Sequence, residues 1–252
     1  MIPAERHKMI LALLSRQDVI SINELVDQLQ VSHMTIRRDI AKLEQKGLVM
    51  SVSGGVQLTT VLSYEPSHDT KVTQHSKQKA SIGQLAAQCV HDNASVYLDA
   101  GTTTLEIAHQ LAHRNDLVFI TNDFVIAAYL TANSQSEIYH TGGRIDKENQ
   151  SSVGSKVAHF LSQMNIDVAF VSTSSWSLSG ISTPSEPKVI VKKAIAEASQ
   201  HVYLVSDTSK FGKIATFHAL DIDVFDAVLT DQDFPQSVRA ELEQKGIEVR
   251  LA

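Results

Sequence analysis

The chain has 252 residues, of which 43% are hydrophobic and 20% charged, and its formal net charge is −6. This composition is typical of a globular protein with a sizeable core, and it excludes collagen-like, coiled-coil and low-complexity chains. No apolar run approaches the roughly 20 residues that span a bilayer, and the single cysteine, Cys89, excludes an internal disulfide, so we expect a cytoplasmic protein with no membrane partner.

The charge is unevenly spread along the chain. Residues 1–58 carry seven Lys or Arg and six Asp or Glu, a net of +1, whereas residues 59–252 carry fifteen and twenty-two, a net of −7. The acidic average therefore hides a basic amino-terminal segment, and it does not exclude nucleic acid as a partner.

The first 58 residues predict three helices followed by a hairpin. Residues 3–16 have a helical apolar stripe, and "SINELVDQL" opens with a capping box formed by Ser21 and Glu24. After the tight break "QVS", Ser32 caps a third helix, and "LVMSVSGGVQL" alternates around two glycines as a hairpin does. This order of elements predicts a winged helix-turn-helix domain over residues 1–58.

The third helix presents cations along an outward line. A helix fits the major groove of DNA, where its side chains reach base edges and phosphates, and glycines in the hairpin allow close approach to the backbone. A charged helix face is more often merely solvated, but the two capped helices, the turn and the hairpin together favour DNA binding. The candidate DNA-binding residues are Ser32, His33, Thr35, Arg37, Arg38, Lys42, Ser53 and Gly54.

Residues 59–77 are polar and predict a linker, and residues 78–252 predict a second domain in which strands alternate with helices. The predicted strands are 95–99, 117–121, 136–140, 167–173, 202–206 and 225–230. The predicted helices are 78–90, 103–113, 123–132, 151–163, 188–199 and 235–245. Such alternation favours an α/β fold whose mostly parallel sheet is covered on both faces and binds ligands beyond the carboxyl ends of its strands.

Polar groups follow several of these strands. "DAGTTT" comes after the first strand, Asn122 after the second, "GGR" (142–144) after the third, and "DTSKFGK" after the fifth, while Lys192 lies in the helix before that fifth strand. Each loop has an alternative reading as turn chemistry, and the threonines as helix caps. Their recurrence at one end of the sheet nevertheless predicts a partly cationic pocket for a hydroxylated, phosphorylated small molecule, with Arg144 as one anion-binding group.

Other chemistry has weak support. His109 and His113 have the i, i+4 spacing of zinc ligands but lack an intervening general-base Glu and a third ligand, so we expect no metal and no cofactor. Cys89 fits a core position better than a nucleophile. Trp176 is either a ligand-stacking or a packed loop aromatic.

The chain resembles the DeoR family of bacterial sugar-metabolism regulators over nearly its full length. The resemblance rests on "MTIRRDIAKLEQKGLV" followed by "GG", and on "DAGTTT", "TND", "TGG", "VKKAI" and "SDTSKFG" in the family's order. It implies a sensor domain with the fold of ribose-5-phosphate isomerase, and repression that a phosphorylated sugar relieves. The effector-binding residues that it implies are Asp99, Gly101, Thr102, Thr103, Thr104, Asn122, Gly142, Gly143, Lys192, Asp207 and Lys210.

Two departures from the family pattern bear on function. Ser51 and Ser53 stand where many members have basic residues or histidine, so contacts from the hairpin to DNA are expected to differ. Lys188 stands where many members have an acidic residue, and this added cation favours a sugar acid over a neutral sugar phosphate. The segments "SHMTIRRD" and "SSWS" resemble a branch that we associate with acid-sugar catabolic loci.

We therefore predict a transcriptional repressor, not an enzyme, that binds a double-stranded operator as a homodimer or homotetramer and is released by a phosphorylated sugar or sugar acid. The alternative is a sugar-phosphate isomerase with an accessory DNA-binding domain, for which Asp99 and Asp207 are the available bases. A pure interaction module is disfavoured by the polar strand ends. The identity of the effector and the operator sequence stay open at this stage.

Overall fold

The amino-terminal part of the computed structural model is a winged helix-turn-helix, as predicted. The structure describes residues 2–17, 19–45, 47–52 and 55–252. The helices are α1 (Pro3–Leu14), α2 (Ile22–Leu29) and α3 (His33–Gln45), and the wing is β1 (Val49–Val52) paired antiparallel with β2 (Gly55–Leu58). The predicted hairpin residues Ser53 and Gly54 lie outside the described residues.

Local sequence signals explain where α2 begins and ends. The Ser21 hydroxyl accepts a hydrogen bond from the Glu24 amide at 3.1 Å, and the Ser21 amide donates to the Glu24 carboxylate at 2.9 Å, which is the predicted capping box. Gln30 adopts the left-handed conformation with φ 54° and ends α2. The helices then enclose a core of apolar side chains from all three, among them Ile10, Leu14, Leu25, Ile36 and Leu43.

The second domain contains a seven-stranded parallel sheet. The strands are β4 (Ser95–Leu98), β5 (Val118–Thr121), β6 (Glu137–His140), β9 (Ile166–Ser172), β12 (Ser199–Val205), β15 (Ala227–Thr230) and β16 (Glu248–Leu251). Their order across the sheet is β16-β15-β12-β9-β4-β5-β6, and every pairing is parallel. All six predicted strands are present, and the edge strand β16 was not predicted.

Helices cover both faces of this sheet. They are α5 (Ser76–Ala87), α6 (Thr102–Leu111), α7 (Phe124–Asn133), α8 (Ser155–Leu161), α9 (Glu186–Ala198) and α10 (Gln236–Gln244). Buried side chains of α5, α6 and α7 form one core with the sheet, and those of α8, α9 and α10 form the other. The predicted mostly parallel α/β architecture is therefore confirmed.

Small sheets flank the main one and were not predicted. They comprise β7 (Arg144–Asp146) with β8 (Ser151–Val153), and β10 (Ser175–Ser177) with β11 (Gly180–Thr183) and β14 (Phe217–Asp221). The helix predicted over 151–163 was wrong at its start, because residues 151–153 pair as β8 and α8 begins only at Ser155.

The segment 59–77, predicted as a linker, contains regular structure that attaches the two domains. Strand β3 (Thr60–Leu62) pairs parallel with β13 (Lys213–Ala215), helix α4 (His68–Thr73) follows, and α5 begins within the segment. Residues 63–67 between β3 and α4, which we name the connector, belong to no helix or strand. None of the described helices has the length and hydrophobicity to cross a membrane.

The wing also packs against the second domain. Met50 of β1 belongs to the same buried cluster as Trp176 and Phe211. Gly212 has φ +77°, and a Cβ there would lie 1.6 Å from the Met50 sulfur, so only glycine fits. Trp176 itself is fully buried and stacks on Phe234 at 5.5 Å between ring centroids, which makes it a packed aromatic.

Candidate functional site

The outward face of α3 carries the predicted cations. Ser32, His33, Arg37, Arg38 and Lys42 are exposed. Met34, 67% exposed, precedes Arg38 and Lys42 at i, i+4 and i+8 and forms one stripe with them. Among the described residues, no carboxylate forms an ion pair with Arg37, Arg38 or Lys42, which leaves these cations available to phosphates.

Hydroxyl groups lie at the amino terminus of the same helix. The Ser32 hydroxyl accepts from the Thr35 amide at 3.3 Å and lies 3.0 Å from the Thr35 hydroxyl. Exposed amides and hydroxyls at a helix amino terminus are favourable partners for phosphate.

Asp39 anchors α3 to α1, a role that the sequence did not reveal. Its carboxylate accepts from the Arg6 Nε at 2.5 Å and Nη2 at 3.1 Å, and His7 Nε2 lies 3.0 Å away. Burial alone would raise the pKa of Asp39, but the hydrogen bonds from Arg6 and His7 outweigh it and hold this pKa below its ordinary value. The anchor therefore fixes which face of α3 points outward.

Arg37 occupies a different side of α3 from Arg38. It lines an open groove together with Glu44, Ser51 and the start of α10 at Gln236 and Ser237. Arg38 and Lys42 do not line this groove.

A second candidate site lies at the carboxyl ends of β4 and β9. Two small cavities meet there and share Glu65, Ala100 and residues 172–174. We name the first the Asp99 cavity and the second the Lys210 cavity, and together the lysine cleft. The charged residues that line the cleft are Lys71, Lys79, Lys188, Lys192, Lys210, Glu65 and Asp99. Five lysines against two carboxylates make the cleft suitable for an anion.

Asp99 is held rigidly at the centre of the first cavity. It forms an ion pair with Lys192 and accepts from the Ser172 amide at 2.9 Å, while Lys192 also donates to the Ser172 carbonyl at 2.6 Å. Gly101 allows the loop between β4 and α6 to lie close to Ser172, because a Cβ at this position would lie 2.5 Å from the Ser172 hydroxyl oxygen. The backbone of Gly101 is extended, so close packing and not conformation requires glycine.

Hydroxyl and amide groups line the far side of the Asp99 cavity. Asn122 accepts from the Tyr97 hydroxyl at 2.9 Å and donates to the Ser152 carbonyl at 2.9 Å, which fixes its orientation. Ser151 also lines the cavity, and its buried hydroxyl has no hydrogen-bond partner within the described part of the chain. An unpaired buried hydroxyl is costly unless a ligand or water satisfies it.

The Lys210 cavity lies at the amino terminus of α6. Thr102 and Thr103 line it, and α6 has no side-chain cap, so the first amides of this helix are available to an anion. Lys79 also lines this cavity and donates to the Lys71 carbonyl at 2.5 Å. Burial lowers the pKa of Lys79 to about 8.

Glu65 lies in the connector and was missed by the sequence analysis. It forms ion pairs with Lys188 and with Lys71, the latter at 3.6 Å. Ser174 and Asn149 donate to its two oxygens at 2.7 and 3.1 Å. Burial would raise the pKa of Glu65, but the two lysines prevail and lower it to about 2.

The structure brings together seven of the predicted effector residues and leaves others outside the cleft. Those that line it are Asp99, Gly101, Thr102, Thr103, Asn122, Lys192 and Lys210. Thr104 instead holds the loop, since its hydroxyl donates to the Asp99 and Gly101 carbonyls. Asp207 caps the turn at 208–210 and lies near Lys79 and Lys210 without lining either cavity. Gly142, Gly143 and Arg144 are exposed beyond the sheet edge strand β6.

No group of three or more His, Cys, Asp or Glu side chains is arranged to hold a metal ion among the described residues.

Comparisons with known proteins identify relatives for both domains. The family model for a DeoR-like helix-turn-helix domain matches residues 6–61, and that for the DeoR C terminal sensor domain matches residues 74–232. An HTH-type transcriptional regulator from Haemophilus influenzae is 54% identical over 100% of this chain and 98% of its own length. The glycerol-3-phosphate regulon repressor of Escherichia coli is 32% identical over 98% of each chain. The repressor GlcR of Bacillus subtilis is 32% identical over 97% of this chain and 95% of its own.

Among solved structures, ribose 5-phosphate isomerase A from Methanocaldococcus jannaschii aligns with 55% of each chain at 14% identity and a TM-score of 0.40.

Proposed function

Because this chain belongs to the DeoR family of transcriptional regulators, we propose that it represses a carbohydrate or sugar-acid catabolic operon and is released from its operator by a phosphorylated sugar or sugar acid. The family makes the chain a DNA-binding regulator and not an enzyme. The observation that carries the proposal is the likeness over nearly the whole chain to proteins named as repressors, one of them of a glycerol-3-phosphate regulon.

The geometry of α3 supports operator binding through its exposed stripe. Arg38 and Lys42 lie on the exposed stripe with Met34, and the anchor at Asp39 holds that stripe outward. Arginine is suited to guanine edges and phosphates, and the exposed Met34 side chain offers an apolar contact to bases. Ser32 and Thr35 then position the helix on the backbone.

The lysine cleft supports an anionic effector. The amino terminus of α6 with Lys79 and Lys210 provides a phosphate subsite. Asn122 and the unpaired hydroxyl of Ser151 suit ligand hydroxyls in the adjoining cavity. A phosphate attached to a polyhydroxylated chain satisfies both cavities together.

Oligomerisation completes the proposal. A single winged domain with a few phosphate contacts gives weak, salt-sensitive binding. Two or four copies that engage repeated half-sites together supply the missing affinity and specificity.

A binding assay tests this function directly. Fluorescence anisotropy measures binding of the full chain to a duplex that contains the region upstream of its own gene, with a shuffled duplex of equal length as the control. We expect preference for the upstream duplex and its loss when phosphorylated sugars or sugar acids are added. Equal binding to both duplexes would contradict operator recognition, and insensitivity to every phosphorylated compound would contradict the effector.

A further inference from the structure

The lysine cleft is too small in this structure for the effector that the proposed function requires. The Asp99 cavity has a volume of about 30 Å³ and the Lys210 cavity about 20 Å³. One water needs roughly 10–15 Å³ by this measure, and small-molecule pockets span roughly 300–1,000 Å³. A sugar phosphate can therefore enter only if a group that lines the cleft moves.

Glu65 is the lining group that is placed to move. It lines both cavities, so its side chain lies where they meet. Ser172 and Lys192 lie in β9 and α9, and Asp99 directly follows β4 and is bound to both, whereas Glu65 lies in the connector between β3 and α4. The neighbouring Tyr64 is 76% exposed and adds no buried anchor. Glu65 is thus held in the cleft chiefly by the contacts of its own carboxylate.

The ion pairs of Glu65 determine which kind of ligand can replace its carboxylate in the cleft. Lys71 and Lys188 have side chains only 11% and 12% exposed, and both pair with Glu65. A neutral ligand that expelled Glu65 would leave the buried ammonium group of Lys71 without an ion-pair partner among the described residues, and Lys188 with only Asp146 at 3.9 Å, which is unfavourable. A ligand with its own carboxylate would restore the pairing.

We propose that Glu65 holds the place of an effector carboxylate, and that the effector is a phosphorylated sugar acid whose carboxylate displaces Glu65 from Lys71 and Lys188 while its phosphate occupies the Lys210 cavity. This inference rests on the proposed function and specifies the ligand class of the same site. Displacement also frees the connector, which follows β3 directly, and β3 pairs with β13 beside the Gly212 that receives Met50 of the wing. The exchange of one carboxylate for another therefore loosens the attachment of the DNA-binding domain.

Matched pairs of probes test the carboxylate. 3-Phosphoglycerate and glycerol 3-phosphate, 4-phosphoerythronate and erythritol 4-phosphate, and 6-phosphogluconate and glucitol 6-phosphate differ only by a carboxylate in place of a hydroxymethyl group. Calorimetric titration compares the wild type, Glu65→Gln and the control Glu148→Gln, which removes an exposed carboxylate near α4 that has no ion pair within the described residues.

We expect at least one acid to bind the wild type about tenfold or more tightly than its polyol partner. Glu65→Gln removes the internal competitor, so the dissociation constant of the same acid should fall by about a further tenfold relative to the wild type, because the ligand no longer has to displace a carboxylate. The polyol partner should gain less than about twofold, and Glu148→Gln should match the wild type. Equal gains for acid and polyol would overturn the inference, because Glu65 would then act only as a general barrier.

Hydrogen–deuterium exchange on the wild type gives a second readout that needs no variant. The tightest acid should increase exchange in residues 63–67 while it protects the start of α6. Protection of both segments would mean that Glu65 stays in place, and would overturn the inference. If polyol phosphates bind as tightly as acids and release DNA, the proposed function stands and this inference fails. If no probe binds or releases DNA, both fail.

Discussion

Substitution of Asp39 by alanine should disable DNA binding without altering any side chain that we assign to the DNA interface. The Asp39 side chain is 3% exposed and its partner Arg6 10% exposed, so the substitution removes the carboxylate from a buried ion pair. Removing one member of a buried pair costs about 3–5 kcal/mol. We expect the lower end, about 3 kcal/mol, because both Arg6 and His7 retain some access to water.

That loss is large for so small a domain. At roughly 0.05–0.15 kcal/mol per residue, a domain of about 60 residues has only about 3–9 kcal/mol of stability in total. With a urea m-value of about 1–3 kcal/mol per molar, 3 kcal/mol lowers the unfolding midpoint by about 1–3 M.

The chain provides a convenient separation of signals. Its single tryptophan, Trp176, lies in the second domain, so fluorescence reports that domain while far-ultraviolet circular dichroism reports both. In Asp39→Ala, part of the dichroism should be lost at lower urea than the fluorescence change, and operator affinity should fall at least tenfold. Asp27→Ala removes an exposed carboxylate from α2 and serves as the control. Unchanged midpoint and unchanged affinity in Asp39→Ala would refute the anchoring role.

Four further predictions concern the DNA-binding helix, the lysine cleft and the contact between the wing and the second domain. Arg38→Ala should weaken DNA binding and reduce the salt slope by about one unit, and an unchanged slope would exclude Arg38 from phosphate contact. Lys210→Ala should abolish the effector response and leave operator affinity intact. Unchanged induction would show that the phosphate subsite does not include Lys210. Effector affinity should fall as pH rises through 8, because the pKa of Lys79 is lowered to about 8 and anions bind its protonated form; a flat profile from pH 7 to 9 contradicts this. Gly212→Ala should displace Met50 and separate the unfolding of the two domains, while Gly246→Ala, with φ +84° but open space, should not.

Features encoded by neighbouring residues were predictable from the sequence. The capping box at Ser21 and Glu24 and the short apolar runs in "SVYLD" and "LVFIT" each depend on a few neighbouring residues, so the winged domain and six strands of the sheet could be predicted. The edge strand β16 was missed because "EVRL" is short and half charged.

Features that depend on distant partners were not predictable. Glu65 and Lys71 lie in a polar stretch that carries no local signal, and the partners that hold Glu65 in the cleft, Lys188 among them, are more than 80 residues away, apart from Lys71 itself. Asp39 is another example, since it belongs to a charged run and its buried carboxylate is bound by Arg6 and His7, 33 and 32 residues earlier.

The placement of the connector implies a short route between the two sites. Met50 inserts into the core of the second domain, β3 pairs with β13, and Glu65 closes the lysine cleft, so three attachments occur within residues 50–65. A ligand shifts the operator-bound arrangement only by its difference in affinity for the bound and released states, typically about 1–3 kcal/mol. Removing one partner of a buried ion pair costs about 3–5 kcal/mol, and a ligand that restores the pairing recovers most of this cost, so only the difference between the bound and released states contributes. The proposed exchange at Glu65 therefore acts on release through its neighbours in the chain, β3 and the wing, which both attach to the second domain.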